Sequence, residues 1–160
     1  MQAFDASSII HAWDTYPVDQ FPPLWNWIAA QIRDEAFLIS KVAFEEVDRK
    51  SPDCGEWLRD NDIRRVDMSN EIIQEALRIK TLLGIQADKY HPNGVGENDL
   101  LIIATASILQ VELISDEGRQ LLAPQNMTKM KIPAICGLGA VAVPCLNFLE
   151  LIRRSKVVFK

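Results

Sequence analysis

Ala36-Phe37-Leu38-Ile39-Ser40-Lys41-Val42-Ala43-Phe44-Glu45-Glu46-Val47 reads as a buried strand that runs directly into a helix. Ala36 to Ile39 is continuously apolar and of strand length, as in a strand covered on both faces. Ser40 is a residue type that caps helices, because its hydroxyl can accept one of the orphan N–H groups of the first turn. Val42, Ala43, Glu46 and Val47 then recur at helical spacing. Glu46 lies four residues after Val42 and three after Ala43, so its carboxylate shares their inward face.

The same grammar recurs on both sides of this stretch. Gln2-Ala3-Phe4-Asp5 reads as a short opening strand, followed by Ser7-Ser8 as a helix cap and by Ile9, Ile10 and Trp13 at helical spacing. Pro17 and Phe21-Pro22-Pro23 break that helix, and Leu24, Trp25, Ile28 and Ile32 define the apolar side of a second one from about Leu24 to Arg33. Further helices are predicted over Pro52–Asn61 and Asn70–Leu83, the latter stopped by Gly84. His91-Pro92-Asn93-Gly94-Val95-Gly96 is a loop, after which a helix starts near Asn98 with Asp99 in its first turn. Val111–Ser115 is read as the third strand and Gln125–Lys131 as a polar surface loop. A short helix around Pro133–Gly139, a strand Val141–Leu146 confined to an edge by Pro144, and a helix Phe148–Ser155 complete the chain. Strands alternating with helices imply parallel pairing. The expected fold is a three-layer α/β/α sandwich, with a mainly parallel sheet of four to five strands.

Four acidic positions stand beside the apolar runs: Asp5, Glu46, Asp99 and the pair Asp116-Glu117. Open α/β sheets build their sites in the crevice outside the carboxyl ends of the strands. Carboxylates gathered there repel one another unless a cation neutralises them. Oxygen-only ligands favour Mg²⁺ or Mn²⁺. The pattern points to a metal-dependent phosphodiester enzyme.

Composition sets bounds on this reading. A chain of 160 residues that is 48% apolar has the size of one domain, residues 1–160, with ample material for a core. A net charge of −5 argues against broad, non-specific nucleic-acid affinity, which depends on Lys and Arg neutralising phosphates. It does not argue against a nuclease whose acids surround bound cations. The apolar stretches Leu100–Leu109 and Ala134–Leu149 are too short or interrupted to span a bilayer. No basic segment precedes an apolar one at the start, so a cytoplasmic protein is expected. Cys54, Cys136 and Cys145 lack zinc spacing and are expected to be free, mostly buried thiols.

The segments Phe4-Asp5-Ala6-Ser7-Ser8-Ile9-Ile10, Ile39–Val47, Asn98-Asp99-Leu100-Leu101-Ile102-Ile103-Ala104-Thr105-Ala106 and Leu113-Ile114-Ser115-Asp116-Glu117 together resemble the PIN domain family (named for the PilT N-terminus). The likeness is greatest to the small prokaryotic members that include VapC-type toxin ribonucleases, and it runs over almost the whole length. The resemblance implies Asp5 as central metal ligand with Ser7 beside it, Glu46 (or Glu45 in the alternative register) as the second acid, and Asp99 as the third. The family usually places Thr/Ser-x-Asp after the following strand. Here Ser115-Asp116-Glu117 puts Glu117 in the Asp place, with Asp116 adjacent, and either is open as the fourth acid. One or two Mg²⁺ or Mn²⁺ ions, an RNA substrate cut to 5′-phosphate and 3′-hydroxyl ends, a cognate antitoxin and a homodimer are what the resemblance implies.

Other readings were weighed against this one. A PIN-like binding or regulatory module without catalysis accommodates the Glu117 departure. A haloacid-dehalogenase-type phosphatase would need Asp at the second place after Asp5, where this chain has Ser7. His11 and His91 are poor ligands for hard Mg²⁺. Trp13, Trp25, Trp27 and Trp57 stand at core or dimer spacing rather than in a base-stacking array.

Overall fold

The computed structural model describes residues 1–160. Its centre is β1 (Gln2–Phe4), whose Ala3 and Phe4 are buried and which pairs in parallel with β2 (Phe37–Ser40) on one side and β4 (Glu112–Ile114) on the other. All four residues of β2 are buried, as its unbroken apolar run requires. Beyond β2 lies β3 (Arg64–Val66), and beyond β4 lies β5 (Cys145–Leu146), giving the all-parallel order β3-β2-β1-β4-β5. The chain therefore builds outward from β1 in one direction and later in the other. The reversal falls between β1 and β4, where an open α/β sheet opens its crevice.

The helices follow largely from local chemistry. Helix α1 is Ala6–Thr15, α2 Pro22–Arg33, α3 Lys41–Lys50, α4 Pro52–Asp60, α5 Asn70–Leu82, α6 Glu97–Leu109, α7 Ile132–Cys136 and α8 Phe148–Ser155. Ser40 Oγ accepts the Ala43 N–H at 3.1 Å, so β2 passes into α3 without an intervening loop. Gly84 at φ 74° ends α5, a conformation that suits glycine. Helix α5 packs on α6, α3 on α4 and α6, and α1 on α3 and α8, so the sheet is flanked by helices. The fold is the three-layer, PIN-like α/β architecture expected from the sequence. No helix is long and apolar enough to cross a membrane.

Several local expectations need correction. The strand β3 was not foreseen: Arg64 and Arg65 are exposed at the sheet edge, so they carry no apolar signal. Strand β5 spans only Cys145–Leu146, because Pro144 has no N–H for the ladder, although its carbonyl accepts from Leu113 at 2.8 Å. Pro22 and Pro23 open α2 rather than break the chain before it, since proline is well suited to a first helical turn. Asp5, not Ser7 or Ser8, occupies the N-cap position of α1. The Gln125–Lys131 segment contains a 3-10 turn at Met127–Lys129, and Met130 is buried. Helix α7 ends at Cys136, short of Gly139.

The aromatic residues serve the core. Trp13, Trp25 and Trp57 form an edge-on cluster, with Trp13 5.3 Å and Trp57 4.9 Å from Trp25 between ring centroids. The Trp25 indole N–H donates to the Tyr16 carbonyl at 2.6 Å. Trp27 packs on Phe37 and Phe159. The three cysteines are free, Cys54 and Cys136 being buried and Cys145 half-buried.

Candidate metal centre

Asp5 follows β1 immediately, and only 2% of its surface is exposed. Its N–H donates to the Ile114 carbonyl at 2.8 Å, which locks the first residue after β1 to the end of β4. Ser8 reinforces this junction, its buried hydroxyl lying 2.8 Å from the Asp5 carbonyl and 2.7 Å from that of Ile114. The Asp5 side chain makes no capping bond to α1. Instead Oδ2 accepts from Ser7 Oγ at 2.5 Å and from Ser115 Oγ at 3.0 Å. Ser7 in turn accepts the Asp116 N–H at 3.0 Å, and Ser115 the Glu117 N–H at 3.3 Å. Two hydroxyls thus tie the end of β1 to the residues after β4, with the carboxylate held between them.

The other acids converge on this point electrostatically. Burial pushes the Asp5 carboxyl up from 3.8 to about 6; the two serine hydrogen bonds oppose that rise, and the charges of Asp99 and Glu46 add to it. Asp99, in the first turn of α6, is raised by burial, held back by its bond from the Gly96 N–H at 2.9 Å, and raised again by Glu46. Glu117 is pushed from 4.5 to about 7 by burial and by the charges of Asp99 and Asp5. Four elements therefore bring carboxylates within each other's field: the ends of β1 and β4, the middle of α3 and the start of α6.

The alternatives that the sequence leaves open stand in different surroundings. Glu45 is exposed beside Lys41, Arg65 and Asp67, while Glu46 acts on Asp5 and Asp99. Asp116 turns away from the other acids. Its Oδ1 accepts the Phe148 N–H at 3.1 Å at the start of α8, and the charges acting on it are His11 and Glu150. Its Oδ2 is buried without a partner. His11 is exposed, and His91 Nδ1 accepts the Asn93 N–H at 3.0 Å, shaping the loop before α6. Neither imidazole joins the group.

No three Asp, Glu, His or Cys side chains stand close enough together to hold one metal ion. The reason is visible in what each acid touches. Glu46 Oε1 takes the Lys50 ammonium at 2.5 Å, one helical turn on; Asp99 takes the Gly96 N–H; Glu117 Oε2 takes the Ile132 N–H at 3.1 Å. Each like charge is drawn onto its own local donor and away from the centre. The donor set itself suits a hard divalent cation, being all carboxylate and hydroxyl oxygen around a buried Asp5. Lys50 is the participant that sequence reasoning missed, although its position four residues after Glu46 on one helix was a usable signal.

A family model described as "Domain of unknown function (DUF4411)" matches residues 3–159. No curated protein matches the chain. Among solved structures, the chain is similar to one chain of VapBC2 from Rickettsia felis, solved bound to a DNA fragment from their promoter. That likeness has a TM-score of 0.57 at 14% identity, over 92% of this chain and 98% of that one, and it shows the fold alone. A chain of a toxin-antitoxin complex from Klebsiella pneumoniae aligns over 79% of this chain and 94% of its own, at TM-score 0.48 and 16% identity, which is too distant to carry an argument.

Proposed function

We propose that this chain, which belongs to the DUF4411 family, is a metal-dependent ribonuclease of the PIN type and the toxin of a toxin–antitoxin pair. The observation that carries the proposal is the buried Asp5 carboxylate at the switch point of the sheet, with Glu46, Asp99 and Glu117 acting on it from three other elements. Structural acids are ordinarily dispersed to the surface or paired with cations. Burying one amid three like charges is a cost that a site with a bound cation explains. The likeness in fold to a VapBC2 chain, joined to the motif resemblance, supports the toxin reading and a cognate antitoxin as partner.

In this reading Asp5, Glu46, Asp99 and Glu117 hold one or two Mg²⁺ or Mn²⁺ ions, with Ser7 and Ser115 keeping Asp5 ionised and oriented. When bound, such an ion makes a water nucleophilic near neutral pH and polarises a phosphoryl oxygen. The chain's own contribution is positional. Ser115 sets Asp5 against the end of β4, the Gly96 N–H orients Asp99, and Lys50 holds Glu46, which would be one of the residues to hold the cation. Asp116 is proposed as a structural acid that fixes α8 rather than as a ligand.

Glu117 also favours a second reading, a PIN-like binding module without turnover, because its carboxylate already serves the Ile132 N–H. Incubating labelled RNA with the protein and Mn²⁺ separates the two. Cleavage by the parent to 5′-phosphate ends, absent in Asp5→Asn, is expected for the nuclease; equal, sequence-independent degradation by both proteins would sink it.

A further inference from the structure

Beyond Glu117, which lines both, the molecule has a second feature next to the carboxylates. A cavity of about 450 Å³ opens between the loop before α6, the loop after β4 and the segment leading into α7. Its volume lies within the ~300–1,000 Å³ range of ligand sites. Its wall has no aliphatic or aromatic residue; Pro92 and Pro124 supply apolar surface, and the polar groups come from Asn93, Glu117, Gln120, Lys129 and Lys131. Ligand pockets are ordinarily lined mainly by apolar and aromatic side chains. One whose side chains are mostly polar or charged, with no aliphatic or aromatic residue among them, suits a charged, hydrated ligand instead.

The wall is built rather than incidental. Gln120 clamps the lysine segment from both sides, its Nε2 donating to the Lys129 carbonyl and its Oε1 accepting the Lys131 N–H, each at 2.9 Å. On the other side Gly94 approaches so closely that a Cβ there would stand 1.9 Å from the Thr128 carbonyl oxygen, and the Val95 N–H donates to the Met130 carbonyl at 3.2 Å. Glu117 itself ties in through the Ile132 N–H. Backbone carrying both lysines is therefore fixed against the acidic centre. Neither Lys129 nor Lys131 forms an ion pair, although the charge of Lys131 acts on the Glu117 carboxylate beside it. In a chain of net charge −5, two unpaired ammonium groups at the mouth of an acidic site are a local reversal of sign.

We propose that the Lys129–Lys131 cleft is a phosphate-binding subsite that holds the backbone of single-stranded RNA next to the scissile position. The chemistry favours backbone over base recognition. The cleft offers ammonium and amide donors but no aromatic face on which a base could stack. Lysine meets a phosphate as a point charge, without the planar fork by which arginine also reads guanine edges. The assignment rests on the ribonuclease reading for its substrate, but its test does not depend on catalysis.

The experiment is fluorescence anisotropy of a fluorescein-labelled oligouridylate with the full chain in EDTA, where metal-dependent cleavage cannot consume the probe. Affinity is followed against salt for the parent, for Lys129→Ala/Lys131→Ala, and for Lys156→Ala/Lys160→Ala, which removes the same charge elsewhere. Each phosphate contact to a single strand contributes about 0.7 to the slope of log affinity against log salt. The cleft variant is expected to bind about tenfold more weakly at low salt, with a slope flatter by about 1.4, while the control pair keeps the parent's slope. An unchanged slope in the cleft variant, an equal change in the control pair, or no binding by the parent overturns the subsite. A matching loss for poly-aspartate with none for RNA overturns it in favour of an acidic protein segment. Mn²⁺ calorimetry on the same proteins separates the two proposals. Mn²⁺ binding with an unchanged salt slope removes the cleft and leaves the nuclease, and a flattened slope without Mn²⁺ binding does the reverse.

Discussion

Replacing Asp5 with asparagine should stabilise the metal-free protein. Asp5 is buried, and its two serine partners both address Oδ2, a position that a carboxamide oxygen can occupy in turn. The substitution therefore keeps the acceptor and removes the charge. Burial raises the carboxyl from 3.8 to about 6, so at neutral pH the folded chain holds an anion that it binds less favourably than the unfolded chain does. At about 1.4 kcal/mol for each tenfold in proton affinity, the penalty is about 3 kcal/mol. Its sign follows from proton counting. Between pH about 4 and about 6 the folded state keeps a proton that the unfolded state has released, so parent stability falls as pH rises through that window and the penalty is complete above it. Asp5→Asn should then exceed the parent by roughly 2–3 kcal/mol at pH 7, or about 6–10 °C in Tm for a chain of this length. The gap should close towards pH 4. Relief of the repulsion on Glu117 acts in the same direction. Urea denaturation of both proteins from pH 4 to 8 in EDTA is the assay. An Asp5→Asn variant less stable than the parent at pH 7, or a gap independent of pH, would refute the reasoning.

Three further outcomes are expected. Asp99→Asn keeps an oxygen for the Gly96 N–H and removes a charge that burial and Glu46 disfavour, so its stability towards urea at pH 7 in EDTA should equal or exceed the parent's; a loss of ~2 kcal/mol, large for a change that spares packing, would mean that the charge itself holds α6. Gly94→Ala forces a Cβ against the Thr128 carbonyl and should cost about 1–3 kcal/mol by overpacking, visible as a lower Tm and as faster hydrogen exchange at Val95, whose N–H partner is Met130. Glu112 is held down to about 2 by its Arg154 hydrogen bonds. That stability is present above pH 4.5 and lost as pH falls through about 2, so Arg154→Ala should flatten the acid limb of a stability profile; an unaltered limb would show that the pair contributes nothing.

What the sequence disclosed depended on whether a residue's neighbours were local. Strands β1, β2 and β4 are legible because each centres on a short apolar run, and helix spacing puts Glu46 on the inward face of α3 while leaving Glu45 open as the alternative register. Strand β3 is not legible, since Arg64-Arg65-Val66 is a strand only through its ladder with Leu38–Ser40. Pro22 and Pro23 mislead because the same ring that breaks a helix interior suits its first turn. Asp116 and Glu117 are adjacent, and nothing local orients them. Phe148, 32 residues on, claims one, and Ile132, 15 residues on, claims the other. Ser7 beside Asp5 was an expectation from resemblance, whereas the second hydroxyl on the same oxygen, from Ser115, emerges only from the structure. The Glu46–Lys50 and Asp99–Gly96 contacts are local and within reach of spacing, whereas the hold of Ile132 on Glu117 is not.

The central claim is that Asp5 and Asp99 belong to one cation site. Isothermal calorimetry of Mn²⁺ into the parent, Asp5→Asn and Asp99→Asn tests it without a guess about the RNA. The account predicts binding by the parent that both variants lose while remaining folded. Absence of binding by the parent, or binding that survives in both variants, would contradict it.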